Sequence, residues 1–295
     1  MTMPNFLIIG AQKSGSTSLY YYLKQHPQIF LSPIKEPHFF IYLNQPELAM
    51  ALGSKKRIIV DRIEYECLFS KVSREIAIGE ASPSYLYFPE AANRIREYLP
   101  NCRLIAILRN PVDRAFSNYL HAVKNGKETV MDFEVAIQLE TERKIQNMNH
   151  EFHYIQKGFY ARQLKPYYKL FEASQIKVCL FDDLLINPSL LLSELFNFLQ
   201  VNPYQLIDTS QKYNETRIAK HKFIAHVNRY VRKSGNLNLM LKTKLPHNFV
   251  KLIKACLFVK PTIPAATREK LIQIYRDDIY DLQDLINRDL SKWLV

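Results

Sequence analysis

The chain has 295 residues, of which 47% are hydrophobic and 23% are charged. This content is typical of a globular protein that buries a core. No stretch approaches the ~20 apolar residues of a membrane-spanning helix, and a strand-like segment begins at Phe6, which leaves no room for a signal peptide. The four cysteines are scattered without metal-ligand spacing, so we expect a reduced, cytoplasmic protein with no metal site.

The formal net charge of +12 is concentrated in one segment. No acidic residue occurs between Thr216 and Thr267, and residues 216–268 contain twelve Lys and Arg. The rest of the chain therefore has equal numbers of basic and acidic residues. Two interpretations stay open: a solvated basic face, or a surface that receives an anionic cofactor, an acceptor or a membrane. No interleaved aromatic stacking platform accompanies the charges, so nucleic acid is not an expected partner.

Apolar stretches alternate with helical patterns along the chain. The predicted strands are Phe6–Ile9, Glu75–Gly79, Arg103–Leu108 and Ile176–Phe181. The predicted helices are Ser16–Gln25, Pro89–Tyr98, one that starts at Pro111, Phe133–Ile145, Ala161–Phe171, Ser189–Leu199 and Thr267–Asn287. This alternation predicts an α/β fold in which helices flank a central parallel sheet. We expect a single domain over residues 1–295, with residues 216–268 as a basic insertion or lid.

The apolar strand at Phe6 leads through a loop with Gly10 and Gly15 into a helix. Such a loop presents backbone N–H groups and the positive end of the helix dipole, an arrangement that binds phosphate. The Walker pattern of ATP-binding loops has Lys directly after the second glycine, whereas this chain has Ser16 there and Lys13 inside the loop. The loop therefore predicts a nucleotide other than ATP; the alternative is a plain strand-to-helix turn.

A second loop follows the strand that ends at Leu108. Arg109 leaves the strand end, Asn110 suits the N-cap, and Pro111 suits the first helical position. A guanidinium group at that point is suited to clamp a phosphate, and Ser117 lies within reach of the same anion along the helix. Because ligands of parallel sheets bind beyond the carboxyl ends of strands, the two loops together predict a nucleotide with two separated phosphate groups.

Four motifs resemble those of sulfotransferases, in the branch of the heparan sulfate sulfotransferase domains and many bacterial relatives. They are Gly10–Leu19, Lys35–Phe40, Gly79–Tyr85 and Leu108–Pro111. Looser matches follow at Lys157–Tyr160, Phe181–Leu184 and Asp289–Leu294. The resemblance spans almost the whole chain. It implies a P-loop kinase-like fold with a phosphosulfate-binding loop, and it implies 3′-phosphoadenosine 5′-phosphosulfate (PAPS) as the donor, without a metal ion.

The resemblance also implies roles for individual residues. The 5′-phosphosulfate would be held by Lys13, Ser14, Gly15, Ser16 and Thr17. The 3′-phosphate would be held by Arg109 and Ser117. Lys13 would in addition stabilise the negative charge that develops on the leaving phosphate. Family members carry a loop that closes over the adenine and the 3′-phosphate, and the candidates for it here are Arg217, Lys220 and Lys222.

Glu36 is the candidate general base, since a matching glutamate has that role in the heparan sulfate branch. His38 is the competing candidate, because the cytosolic branch of the family uses a histidine. Taken without the resemblance, Glu36 is a surface glutamate in a proline-rich loop and His38 is a ring packed beside two phenylalanines. One departure is Ala81, where heparan-type enzymes commonly have an active-site lysine, so heparan-like acceptor binding does not follow. Glu80 beside it is a candidate to cap the next helix or brace the loop.

We therefore expect an enzyme that transfers a sulfuryl group from PAPS to a hydroxyl, or alternatively an amine, of a saccharide, lipid or small-metabolite acceptor. A P-loop kinase or NTPase is the first alternative, because Val178–Asp183 resembles a Walker B strand that ends in acids. A basic membrane- or nucleic-acid-binding protein is the second. Residues 245–261 would form a basic amphipathic helix, which either contacts a membrane surface or packs on the core.

Overall fold

The computed structural model describes residues 2–51, 58–146, 148–211, 218–219, 258–259 and 262–295. Five strands form one sheet in the order β2-β3-β1-β4-β5, and every neighbouring pair is parallel. The strands are β1 Phe6–Gly10, β2 Ile29–Leu31, β3 Ala77–Ala81, β4 Arg103–Leu108 and β5 Ile176–Leu180. The predicted parallel α/β sheet is confirmed, although β2 is not among the predicted strands.

The central strand β1 explains why the sheet forms where it does. All five of its residues are buried, as expected for a strand of a parallel sheet that is covered on both faces. It pairs with β3 on one side and with β4 on the other, so that Phe6 lies opposite both Gly79 and Arg103. The carboxyl ends of β1, β3 and β4 consequently lie at one edge of the sheet.

Helices connect the strands and continue to the end of the chain. Those before β5 are α1 Ser16–Leu23, α2 Phe39–Tyr42, α3 Pro46–Ala51, α4 Arg62–Cys67, α5 Pro89–Tyr98, α6 Pro111–Lys124, α7 Phe133–Gln138, α8 Glu140–Ile145 and α9 Tyr160–Leu170. Those after β5 are α10 Phe181–Ile186, α11 Pro188–Leu199 and α12 Ala265–Ile286. The helical stretch predicted over Phe133–Ile145 is confirmed, but it divides into two helices at Leu139, whose ψ of −8° interrupts the helical ladder.

A hydrophobic core cluster joins the sheet to α1 and α11. Its buried members from those two helices are Leu19, Tyr20, Tyr22, Leu23, Leu191, Leu192, Leu195, Phe196 and Leu199. In α11 the buried positions recur every three or four residues, the spacing of one helix face. This packing fixes α1, and with it the loop that enters α1 from β1.

The chain forms two compact units. The first contains Met1–Ala115, Ile155–Asn214 and Leu271–Val295, and it includes all five strands of the sheet. The second contains Phe116–Tyr154 and the described residues between 215 and 270, among them a short antiparallel pair, β6 Ile218–Ala219 and β7 Phe258–Val259. None of the helices in the described part of the chain is both long and apolar enough to span a membrane. A single domain over residues 1–295 stays a prediction.

Two leucines on α11 test this packing. Leu195 is fully buried in the core cluster, whereas Leu190 is 57% exposed. Leu195→Ala is expected to lower the free energy of unfolding by roughly 2–5 kcal/mol, because it removes buried surface and leaves a cavity. Leu190→Ala is the matched control and should change it by less than about 0.5 kcal/mol. Urea unfolding measures both, and equal effects would contradict the packing of α11.

Candidate active site

The loop between β1 and α1, here called the β1–α1 loop, owes its shape to Gly15. This residue has φ of 98°, and a Cβ added to it would lie 2.7 Å from a ring carbon of Phe181, so both conformation and space require glycine. α1 begins directly after it, with no described side chain capping its first turn. The N-terminal N–H groups of α1 can therefore bind an anion in the loop.

Phe181, the first residue of α10, connects the two predicted phosphate-binding segments. Its ring packs against Gly15, and the guanidinium carbon of Arg109 lies 5.0 Å from the centroid of the same ring, a cation–π distance. The hydroxyl of Tyr160 donates to the backbone carbonyl of Arg109 at 3.0 Å. The β1–α1 loop and Arg109 are thus brought together through one aromatic ring.

The start of α6 is as predicted. The Asn110 side-chain oxygen accepts from the backbone N–H groups of Val112 at 3.0 Å and Asp113 at 3.3 Å, which caps the helix. Ser117 lies further along α6, in the part that belongs to the second unit, and its role beside Arg109 stays a prediction. Arg217, Lys220 and Lys222 lie outside the described residues, as do residues 245–257 and 260–261 of the predicted membrane-contact segment.

The two candidate bases, Glu36 and His38, lie next to each other. The distance from His38 Nε2 to Glu36 Oε2 is 3.8 Å, and Lys35 Nζ lies 2.8 Å from the other carboxylate oxygen of Glu36. Both side chains are largely buried, with 18% of Glu36 and 14% of His38 exposed. The Glu36 carboxylate therefore has the Lys35 ammonium group beside one oxygen and the His38 imidazole beside the other.

The loop that carries these candidate bases, residues 32–38 and here called the base loop, is bonded to the end of β3. The Glu36 N–H donates to the Ala81 carbonyl at 3.0 Å, and the His38 N–H donates to the Ser82 hydroxyl oxygen at 3.2 Å. Ser82 is itself fixed to the central strand, because its N–H donates to the Ile8 carbonyl at 3.1 Å. The base loop and the β1–α1 loop therefore start from the same edge of the sheet.

Glu80 is a fully buried carboxyl group beneath the base loop. It accepts from the Ser82 hydroxyl at 2.9 Å and the Tyr65 hydroxyl at 3.4 Å. Burial raises its pKa to about 7, although hydrogen bonds from Tyr85, Ser82 and Tyr65 oppose the rise, and the charge of Glu36 adds to it. Glu80 thus braces the strand end that holds the base loop, one of the two roles considered for it from sequence.

Three candidate catalytic residues have strained backbone conformations. Among the described residues, six non-glycine residues have a positive φ, and they include Lys13 at 69°, Glu36 at 62° and His38 at 56°. Each such conformation costs on the order of 1–3 kcal/mol and persists only where the surrounding structure enforces it. Strain of this kind clusters at functional sites, so the backbone marks the same residues as the sequence motifs do.

Sequence reasoning assigns no role to Lys157, which lies beside the β1–α1 loop, or to Gln12 within that loop. Lys157 is buried, with 4% of its surface exposed, and its Nζ donates to the side-chain oxygen of Gln12 at 2.7 Å. The Gln12 amide nitrogen in turn donates to the Ser84 hydroxyl at 2.7 Å. The only sequence signal for Lys157 is the looser motif match at Lys157–Tyr160, and no local pattern indicates its partner.

One acid of the segment that resembles a Walker B strand, Asp183, has structural contacts. β5 ends at Leu180, and Asp182 and Asp183 lie in the first turn of α10. Asp183 accepts from the Leu180 N–H at 3.4 Å and forms an ion pair with Arg288 at 3.1 Å. In the part of the chain that the structure describes, no group of three or more His, Cys, Asp or Glu is placed to hold a metal ion.

A sequence model of the sulfotransferase domain matches residues 3–257. The chain belongs to the sulfotransferase family. The resemblance seen in the motifs is confirmed at the level of the family.

Sulfotransferases of other organisms are similar to this chain. The membrane-associated sulfotransferase kil1 of Dictyostelium discoideum is 35% identical over 126 residues, which cover 42% of this chain and 24% of kil1. The bifunctional heparan sulfate N-deacetylase/N-sulfotransferase 4 of Mus musculus is 27% identical over 209 residues, which cover 68% of this chain and 23% of that protein. The chain thus spans about a quarter of the length of these curated sulfotransferases.

A solved sulfotransferase structure matches along the whole chain. The crystal structure of a sulfotransferase from Alicyclobacillus acidocaldarius superposes with a TM-score of 0.76 and 31% identity, over 99% of each chain. This match confirms the fold class and the likeness to bacterial sulfotransferases.

Glu80 gives the stability of this sulfotransferase a defined pH dependence. Its pKa is raised from 4.5 to about 7 on folding, so in this range the folded protein holds a proton that the unfolded chain has lost. The contribution of Glu80 to stability is therefore fully present below about pH 4.5 and is lost as the pH rises through about 7. From pH 5 to pH 8 the wild type should lose on the order of 1–3 kcal/mol relative to Glu80→Gln. Urea unfolding at both pH values tests this, and a pH-independent difference between the two proteins would contradict it.

Proposed function

We propose that this chain transfers a sulfuryl group from PAPS to a hydroxyl, or alternatively an amine, of an acceptor. The observation that carries the proposal is the Phe181 ring, which packs against Gly15 and lies 5.0 Å from the Arg109 guanidinium carbon. PAPS carries a 5′-phosphosulfate and a 3′-phosphate on one ribose. Such a donor needs two anion-binding segments close together at neighbouring strand ends, and β1 and β4 are neighbours in the sheet.

In this proposal the two segments divide the donor between them. Lys13 and the N–H and hydroxyl groups of Ser14–Thr17 hold the 5′-phosphosulfate. Arg109 holds the 3′-phosphate, since a planar guanidinium donates two parallel hydrogen bonds to one phosphate. Ser117 and the three basic residues Arg217, Lys220 and Lys222 complete the 3′ side, and their part is a proposal from the resemblance alone.

The reaction is an in-line displacement at sulfur. The acceptor oxygen forms a bond to sulfur while the bond from sulfur to the 5′-phosphate oxygen breaks, and adenosine 3′,5′-bisphosphate (PAP) leaves with the bonding electron pair. Lys13 lies in the loop that would hold this phosphate, where a cation stabilises the charge that develops on it. The acceptor proton is transferred to the base.

We assign the base to Glu36. The Glu36 carboxylate lies between Lys35 and His38 and is held by the 2.8 Å contact with the Lys35 ammonium group. Its backbone, strained at φ of 62°, is held by the hydrogen bond from its N–H to the Ala81 carbonyl. His38, 3.8 Å away, is the competing base or orients the carboxylate. Positioning and charge stabilisation supply most of the remaining acceleration, as in phosphoryl transfer.

The acceptor is proposed as a saccharide, a lipid or a small metabolite. A cytoplasmic location and a peripheral membrane contact through residues 245–261 belong to the same proposal. An experiment that distinguishes the acceptors is the transfer of radiolabelled sulfate from PAPS into fractions of a cell extract. The fraction that becomes labelled identifies the acceptor class.

Donor binding is tested by calorimetric titration with PAP and, separately, with ATP and Mg²⁺. The wild type should bind PAP more tightly than ATP–Mg²⁺. Lys13→Ala and Arg109→Ala should each weaken PAP binding roughly 10- to 100-fold, because each removes a charge-assisted hydrogen bond. Lys24→Ala, at the far end of α1, is the control and should bind as the wild type does. Tight ATP binding without PAP binding would contradict the proposal.

The base is tested by Glu36→Gln and His38→Ala in the labelled-sulfate assay. Glu36→Gln should lower kcat by about 10²–10⁴-fold, the usual contribution of a general base, and should leave the affinity for PAP unchanged. His38→Ala should retain more activity than Glu36→Gln. An active Glu36→Gln together with an inactive His38→Ala would reassign the base to His38.

A further inference from the structure

Lys157 is a buried cation that the reaction described above does not use. Lysine is rarely buried this completely, because its ammonium group loses hydration that other groups must replace. Here Nζ donates to the Gln12 side-chain oxygen at 2.7 Å, and it lies 5.5 Å from the ring centroid of Tyr87. The hydrogen bond ties Lys157 to the residue that directly precedes Lys13.

Gln12 is held at both ends of its amide group. Its oxygen accepts from Lys157, and its nitrogen donates to the Ser84 hydroxyl at 2.7 Å. Ser84 follows β3, the strand end that also holds the base loop. One amide therefore joins the β1–α1 loop to two other segments of the first unit, at the position next to the strained backbone of Lys13.

The segment that carries Lys157 is held by contacts with α12. A Cβ added to Gly158 would lie 2.7 Å from the Tyr275 ring, and the Tyr275 hydroxyl donates to the Ile155 carbonyl at 2.9 Å. The Asp278 carboxylate accepts from the Ala161 and Arg162 N–H groups at 3.0 and 3.1 Å, at the start of α9. Two side chains of α12 thus fix the backbone on both sides of Lys157.

We propose that Lys157 is a positioning residue for donor binding, which acts through Gln12 by holding the β1–α1 loop in the conformation that presents Lys13 to the donor. Ammonium-to-amide hydrogen bonds are stronger than neutral ones, and a group pre-organised in this way does not have to be ordered when the donor binds. The inference rests on the proposed function, since it takes an anionic donor in the β1–α1 loop as given.

The test is a double-mutant cycle in PAP affinity, measured by titration calorimetry on the full chain. Lys157→Met keeps the apolar stem and removes the donor, and Gln12→Met removes the acceptor. Each should weaken PAP binding roughly 10-fold. Both substitutions break the same contact. The double variant should therefore bind PAP no more than about twofold less tightly than the single variant with the lower affinity.

Lys165→Met is the matched control. Lys165 is on α9, eight residues after Lys157, but it is exposed and pairs with Asp281, so PAP affinity should stay within about twofold of the wild type. Thermal unfolding without PAP is measured for every variant. A merely structural role of Lys157 would produce losses of affinity that add up in the double variant, whereas positioning through Gln12 produces losses that do not.

Two results would overturn this inference and leave the proposed function standing. They are a wild-type PAP affinity in Lys157→Met, or losses of PAP affinity that add up in the double variant. Should Lys157→Met fail to fold, Gln12→Met decides, because it probes the same contact from a half-buried residue on the loop; wild-type affinity there overturns the inference too. A wild type that does not bind PAP overturns the proposed function and the inference with it.

Discussion

The pairing of β1 with β3 and β4 is the constraint on which the candidate site depends. Parallel ladders hold the three strands in register, with Ile8 opposite Ala81 on one side and Ile105 on the other. The loop with Lys13 leaves β1, the residues that hold the base loop end β3, and Arg109 leaves β4. Residues far apart in the sequence thus meet at one edge because backbone hydrogen bonds align the strands that carry them.

The hydrophobic core makes the strained loops possible. Lys13, Glu36 and His38 hold backbone conformations that isolated residues avoid, and they do so beside a sheet whose central strand is completely buried. A support of this kind holds the three residues in one arrangement before any ligand binds. The order of the candidate site therefore depends on the stability of the core.

The features that the sequence predicts are those that local chemistry determines. Gly15 needs a backbone that only glycine readily adopts, Asn110 caps the helix that Pro111 begins, and Phe6–Gly10 is apolar throughout, so each can be predicted from a few neighbouring residues. Contacts across the fold are different: Lys157 and Gln12 are 145 residues apart, and no periodicity relates them. β2 is not predicted for a similar reason. Its three residues, Ile29–Leu31, form a strand because they pair with β3.

The Phe181 ring has a consequence for how a ligand is bound. It packs against Gly15 and lies under the Arg109 guanidinium group, so neither anion-binding segment can shift without disturbing the surface on which the other rests. In the proposed donor complex, any effect of an anion at one segment on the other is equal in both directions, because binding free energies are linked. In the proposed reaction the two segments are therefore parts of one donor site that share a support, not two independent sites.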